Sequence, residues 1–193
     1  MTAAVFKSTS QALHFSYLIE FEPAAGKSIM QAMYEEHLKA TGKWVTIPAE
    51  ERSIDFGGLS PLEIRGQCAM VRAAAEHRLV HPEANAVRAH YGMQTTKAAG
   101  IRGLVEYVAP MLTIQNDMTK LAMAWGHLGT IKQRKGLTQI QIAEYYGVPV
   151  ATVQRDQKKI AEVGRLLLKR AIDGLDVHFK RTCLVFDETL QAA

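Results

Sequence analysis

Residues 137–156 read Leu137-Thr138-Gln139-Ile140-Gln141-Ile142-Ala143-Glu144-Tyr145-Tyr146-Gly147-Val148-Pro149-Val150-Ala151-Thr152-Val153-Gln154-Arg155-Asp156. Two helices that cross closely need a small residue at the crossing, and Ala143 has that place. The turn between them needs a residue that adopts a left-handed backbone, which Gly147 supplies four positions later. Pro149 can begin the second helix because its missing N–H would be unpaired there. The spacing therefore predicts a helix-turn-helix.

The second helix of such a motif enters the major groove of DNA. Apolar residues that would fix it against the first helix are Ile142, Tyr146, Val148 and Val153. We expect DNA contacts from both helices, by Thr138, Gln139, Val150, Ala151, Thr152, Gln154 and Arg155. Glutamine pairs with adenine and arginine with guanine, each contributing about 1–3 kcal/mol of discrimination. An ordinary helical hairpin with the same alanine–glycine spacing is the alternative.

The positive charge is concentrated around this stretch. Residues 131–181 carry eleven basic and five acidic side chains, a net +6, whereas the other 142 residues carry twelve basic and fourteen acidic ones, a net −2. Such asymmetry favours a polyanionic partner, although a solvated helix face is an equal alternative. The side chains expected to contact DNA phosphates are Lys132, Arg134, Lys135, Lys158 and Lys159.

The second helix is expected to continue to about Arg181, since no proline intervenes. Gly164 and Gly174 weaken it and indicate a kink or a break. Apolar residues continue at helical spacing as Ile160, Val163, Leu167, Ala171, Leu175 and Phe179. This stripe must be buried, either against the chain's own helices or in a partner.

The remaining sequence predicts short helices after residue 60. Ser60-Pro61-Leu62-Glu63 is a capping box that begins a helix running to about Val80. Further helices are expected over Pro82–Tyr91, from a cap at Thr95 or Thr96 towards Pro110, and over Ile114–Leu128. Before residue 59, alternation over His14–Glu22 predicts a strand, followed by a helix over Ser28–Ala40 and a short strand over Trp44–Ile47.

The predicted fold class is therefore mainly α. A small α+β or irregular N-terminal arm (residues 1–58) precedes a helical domain (59–128) and a helix-turn-helix region with a long terminal helix (129–193). Cys68 and Cys183 are the only cysteines of 193 residues, which excludes a disulfide scaffold and a cysteine-rich zinc ribbon. No apolar run reaches about 20 residues, and no signal peptide is evident, so we expect a cytoplasmic, nucleoid-associated protein without membrane contact.

An enzymatic interpretation has little support in the sequence. Ala25-Gly26-Lys27-Ser28 follows a predicted strand, but the position five before Gly26 is Phe21, whereas a phosphate-binding loop needs glycine there. The seven histidines are scattered and form no metal-binding motif, and Trp125, Tyr145 and Tyr146 are interpreted as core aromatics. We expect neither a catalytic site nor a cofactor or metal.

The wider layout resembles the Q-type transcription antitermination factors of phages and prophages, particularly those with a helix-turn-helix like that of sigma-factor region 4. The resemblance covers roughly residues 60–180 and depends on Ala89-His90-Tyr91-Gly92, Gln141-Ile142-Ala143 and Gln157-Lys158-Lys159-Ile160-Ala161-Glu162. It leaves out the N-terminal arm. Some members of that family carry cysteine-rich zinc motifs, which this sequence lacks.

The resemblance implies a factor that binds DNA near a late promoter and loads onto paused RNA polymerase with its sigma factor. Such a factor then acts near the nascent RNA and promotes read-through of pauses and terminators. By this resemblance, Thr152, Gln154 and Arg155 would read the DNA element. The alternative is a promoter-binding regulator acting at initiation, usually as a dimer. A dimer would need a second apolar face, which the stretch Leu166-Leu167-Leu168 could provide.

Overall fold

The structure is a computed structural model that describes residues 5–20 and 59–186. These residues form a mainly helical fold, as predicted, and their one β-type contact is an isolated parallel bridge between Phe6 and Val185. The α-helices in chain order are α1 (Thr9–Ile19), α2 (Pro61–Arg78), α3 (His81–Tyr91), α4 (Gln94–Val108), α5 (Asp117–Leu128), α6 (Gln139–Tyr146) and α7 (Val150–Arg181), with a 3₁₀ turn (Ala109–Met111) after α4.

The strand predicted over His14–Glu22 is wrong, because α1 occupies this part of the chain up to Ile19. Ser8 caps the helix by accepting a hydrogen bond from the backbone N–H of Gln11 at 3.1 Å. Leu13 and Ser16 are buried together with Tyr17, and this spacing belongs to a helix face and not to a strand. Phe21, Glu22, the helix predicted over residues 28–40, the strand predicted over 44–47 and the Gly26-Lys27-Ser28 stretch lie outside the described residues.

Helices α2 and α3 confirm the prediction closely. The Ser60 N–H donates to Glu63 Oε2 at 2.7 Å and the Glu63 N–H donates to Ser60 Oγ at 3.4 Å, which completes the capping box. The hydrogen bonds to Ser60 lower the pKa of Glu63. Helix α2 ends at Arg78, two residues before the expected end, and α3 begins at His81.

Helices α4 and α5 begin at positions that differ from the prediction. Met93 is the N-cap residue of α4 and makes no side-chain cap. Thr95 and Thr96 lie inside the first turn, so the prediction that one of them caps this helix is wrong. Helix α5 begins at Asp117 and not near Ile114, because the Asn116 side chain caps it by accepting from the Thr119 N–H at 3.0 Å.

Helix α7 runs without interruption for 32 residues, about 48 Å at 1.5 Å per residue. The break expected at Gly164 or Gly174 is absent from this helix. At Gly164, an added Cβ would lie 3.3 Å from Leu104 Cδ2, so the glycine permits close packing against α4. At Gly174, an added Cβ would meet nothing within 4 Å.

Two hydrophobic clusters share α7. The first joins Phe6, α1 and α2 to the C-terminal half of α7 through Ala171, Leu175 and Phe179. The second joins α3, α4, α5 and α6 to the N-terminal and middle turns of α7 through Val153, Ile160 and Leu167. The apolar stripe of α7 is therefore buried against the chain's own helices. The three-part division of the chain stays a prediction.

Candidate nucleic-acid interface

Helix α6 begins with a second capping box. The Gln141 N–H donates to Thr138 Oγ1 at 3.3 Å, and the Thr138 N–H donates to Gln141 Oε1 at 3.2 Å. The Thr138 hydroxyl also donates to Gln141 Oε1 at 2.8 Å. Thr138 therefore fixes the start of α6, and its exposed position leaves the hydroxyl oxygen accessible to solvent.

Gly147 ends α6 in the left-handed conformation that the sequence predicted, with φ 64° and ψ 34°. The Val148 N–H donates to the Ala143 carbonyl at 3.0 Å, which closes the turn. Pro149 lies at the N-cap of α7 and not at its first helical position, since the N–H groups of Thr152 and Val153 donate to its carbonyl. The chain thus passes from α6 to α7 within three residues.

Buried apolar residues hold α6 against α7. Ile142, Ala143 and Val153 are each less than 5% exposed and belong to the second hydrophobic cluster. Tyr146 and Val148 pack against the same cluster as partly buried residues. Tyr145, expected in the core, is 82% exposed, and its ring makes an edge contact with Tyr146. Trp125 is half-buried in the cluster.

The first turns of α7 present one face to solvent. Val150, Ala151, Gln154, Arg155 and Lys158 are exposed, whereas Thr152 is half-buried. Their spacing along the helix places them opposite the buried residues at 153, 156, 157 and 160. Of the side chains predicted to read bases, Gln154 and Arg155 are therefore accessible, whereas Thr152 is only partly so.

Asp156 anchors this part of α7 and is a residue that the sequence interpretation missed. Its carboxylate is fully buried, and Oδ2 accepts hydrogen bonds from the backbone N–H groups of Thr113 and Ile114, both at 2.8 Å. These bonds hold the segment before α5 against α7. Oδ1 is buried without a hydrogen-bond partner among the described residues. The available signal was its position between Val153 and Ile160 on the apolar stripe.

Gln157 connects three helices beside this anchor. Its Nε2 donates to the Met123 carbonyl of α5 at 3.0 Å, and its Oε1 accepts from Gln139 Nε2 of α6 at 2.6 Å. Gln139 is thus half-buried and bonded to α7. Consecutive residues Asp156 and Gln157 fix the orientation of the exposed face relative to α5, α6 and the 113–114 segment.

The predicted phosphate contacts fall into two groups. Lys132 and Lys135 are exposed in the turn before α6. Arg134 Nε donates to the Gly129 carbonyl at 2.6 Å, Lys159 Nζ donates to the Met111 carbonyl at 2.9 Å, and Lys158 lies 3.9 Å from Glu162. Hydrogen bonds within the chain therefore orient Arg134 and Lys159, whereas Lys158 forms only a long, exposed ion pair.

A positive electrostatic environment surrounds Arg134. Burial, with the neighbouring Arg134 guanidinium, lowers the pKa of Lys97 to about 8. Burial, with Arg134 and Arg165, also lowers the pKa of His127. Lys97 Nζ donates to the Ala89 carbonyl at 2.8 Å. The Arg134 guanidinium thus acts on Lys97, which is buried, and on His127.

Within residues 5–20 and 59–186, no group of three or more His, Cys, Asp or Glu side chains is arranged to hold a metal ion. In the same part of the chain, no helix has both the length and the apolar composition needed to cross a membrane. Compared with models of known protein families and with curated protein sequences, the chain gives no significant match.

Proposed function

We propose that α6 and the first turns of α7 form a helix-turn-helix that binds double-stranded DNA in a sequence-specific manner. The observation that carries this proposal is the shared exposure of Gln154, Arg155 and Lys158 on a helix face fixed by buried Asp156 and Gln157. Among the described residues Arg155 has no hydrogen bond or ion pair, so its guanidinium is available to a base.

In this proposal Gln154 and Arg155 read base edges from the major groove, with Thr152 beside them. Lys132, Lys135 and Lys158 contact phosphates and fix the register of the protein on the duplex. Arg134 and Lys159 add positive potential while their side chains stay bonded to backbone carbonyls.

We further propose that the DNA-bound chain acts as a transcription antitermination factor on RNA polymerase held near a promoter with its sigma factor. This step is supported by the sequence resemblance alone. The second candidate is a promoter-binding regulator that acts at initiation. A read-through assay separates the two, since only an antiterminator increases transcription beyond a terminator when the promoter and its initiation rate are held constant.

The DNA-binding proposal is tested by selecting a preferred duplex from a random library and measuring affinity by fluorescence anisotropy. We expect Arg155→Ala to reduce affinity for the selected duplex about 5- to 150-fold, the loss of one bidentate contact of about 1–3 kcal/mol. Affinity for random DNA should fall much less, because phosphate contacts supply it.

Glu144→Ala is the matched control, since Glu144 is exposed on α6 outside the proposed contacts. Equal loss on selected and random duplexes for Arg155→Ala would contradict base reading by Arg155. Failure to select any preferred duplex would overturn sequence-specific binding itself.

A further inference from the structure

The outward face of α7 carries an ordered stripe of exposed residues that neither hydrophobic cluster uses. Successive members are four, four, three, four and four residues apart, which places all of them within an arc of about 100° on the helix surface. The stripe consists of Glu162, Leu166, Arg170, Asp173, Val177 and Arg181. Leu166 and Val177 are 63% and 59% exposed, the largest values for the bulky apolar side chains of α7.

The order of side chains along this stripe is complementary to that of a second, antiparallel copy of the same stripe. It reads acid, apolar, base, acid, apolar, base. If a second α7 lies antiparallel with a twofold axis between residues 171 and 172, Glu162 faces the second copy's Arg181. Leu166 then faces the second copy's Val177, and Arg170 faces the second copy's Asp173. The symmetry repeats each pair, which gives four opposite-charge pairs and two apolar contacts.

A parallel arrangement has none of this complementarity, since it would place Arg170 beside the second copy's Arg170. We propose that this stripe is the contact surface of a symmetric, antiparallel dimer of the chain. An isologous interface needs a patch that is complementary to itself, and the stripe has that property in charge and in apolar character.

Ion pairs within the chain leave the stripe able to form these contacts. Lys169 Nζ lies 2.9 Å from Asp173 Oδ2, and Lys158 Nζ lies 3.9 Å from Glu162 Oε1. Each carboxylate keeps a second oxygen for an arginine of the second copy. Because exposed ion pairs contribute little individually and are screened by salt, we expect a weak dimer whose affinity falls as the salt concentration rises.

The stripe shares no residue with the proposed DNA contacts, and Glu162 at its end is the member that pairs with one of them, Lys158. Residue 155 is about 16 residues from the twofold axis, or roughly 25 Å along the helix. The contacts of the stripe therefore lie away from residues 150–155, and the inference does not rest on the proposed function.

The test is sedimentation equilibrium of the full chain from 1 to 200 µM at low and high salt. We expect a monomer–dimer equilibrium that high salt weakens. Arg170→Asp places like charges opposite each other at two sites of the dimer, and Asp173→Arg does the same. Each variant alone should therefore lose at least about tenfold in dimer affinity. An equimolar mixture of the two restores opposite charges at both sites and should form a heterodimer near the original affinity.

Arg165→Glu is the matched control, because Arg165 is exposed on α7 but lies outside the stripe. It should leave the dimer affinity unchanged. The proposal is overturned by a monomer at 200 µM, by a dimer that the single variants do not weaken, or by a mixture that stays monomeric. If circular dichroism shows that a charge variant is unfolded, the pair Leu166→Lys and Val177→Glu supplies the same mixing test.

Discussion

Replacing Asp156 with alanine removes the carboxylate that accepts hydrogen bonds from the backbone N–H groups of Thr113 and Ile114. A buried donor left without a partner costs about 1–3 kcal/mol. Ile114 is buried and should incur that cost, whereas Thr113 is exposed and its N–H can reach water. Adding the loss of a charge-assisted bond, we expect the free energy of unfolding to decrease by about 2–4 kcal/mol.

Urea denaturation followed by far-ultraviolet circular dichroism and tryptophan fluorescence measures this decrease. With a slope of about 2 kcal/mol/M, the midpoint should fall by about 1–2 M. Asp156→Asn keeps an acceptor oxygen and should cost less than alanine. Glu144→Ala, on the exposed side of α6, should change the free energy by less than about 0.5 kcal/mol. A midpoint for Asp156→Ala equal to that of Glu144→Ala would refute the anchoring role.

Three further changes test the backbone and the buried charge. Gly147→Ala should lower the free energy of unfolding by about 1–2 kcal/mol in urea titrations, because φ is 64° there; no change would contradict the left-handed turn. Gly66→Ala should raise the thermal midpoint slightly, since α2 is regular there and an added Cβ meets nothing within 4 Å. A lower midpoint would show that the alanine methyl group does not fit at this position. Lys97, with its pKa lowered by burial from 10.5 to about 8, binds fewer protons than in the unfolded chain, so stability should increase from about pH 8 towards pH 10.5. Lys97→Met should flatten this increase of stability with pH. If the slope stays unchanged in the variant, another group is responsible for the increase.

The parts of the fold that could be predicted are those marked by capping and turn residues close together in sequence. The capping box at Ser60 identified the start of α2, and Gly147 identified the turn before α7. Helix α1 was missed because apolar residues at 15, 17 and 19 imitate the period of a strand. The helical signal there came from Ser8 and from small or polar buried residues such as Ser16, which hydrophobic patterning does not count.

The candidate site was predictable in its exposed part only. The positions of Gln154 and Arg155 follow from helix geometry once Gly147 fixes the turn. The anchors could not be predicted in the same way, because Asp156 bonds to backbone groups 42 and 43 residues away in sequence. Likewise, Gln157 and Lys159 bond to carbonyls whose positions depend on the packing of α4 and α5.

The sharing of α7 by both hydrophobic clusters has a thermodynamic consequence. Unfolding either cluster removes the packing surface of one half of the same helix, so the two clusters should open in a single cooperative transition. A duplex bound at residues 150–158 would then stabilise the whole native state by mass action. Amide hydrogen exchange in α1, at the far end of α7, should slow on DNA binding by the same factor as exchange in α5, with no movement of α1 required.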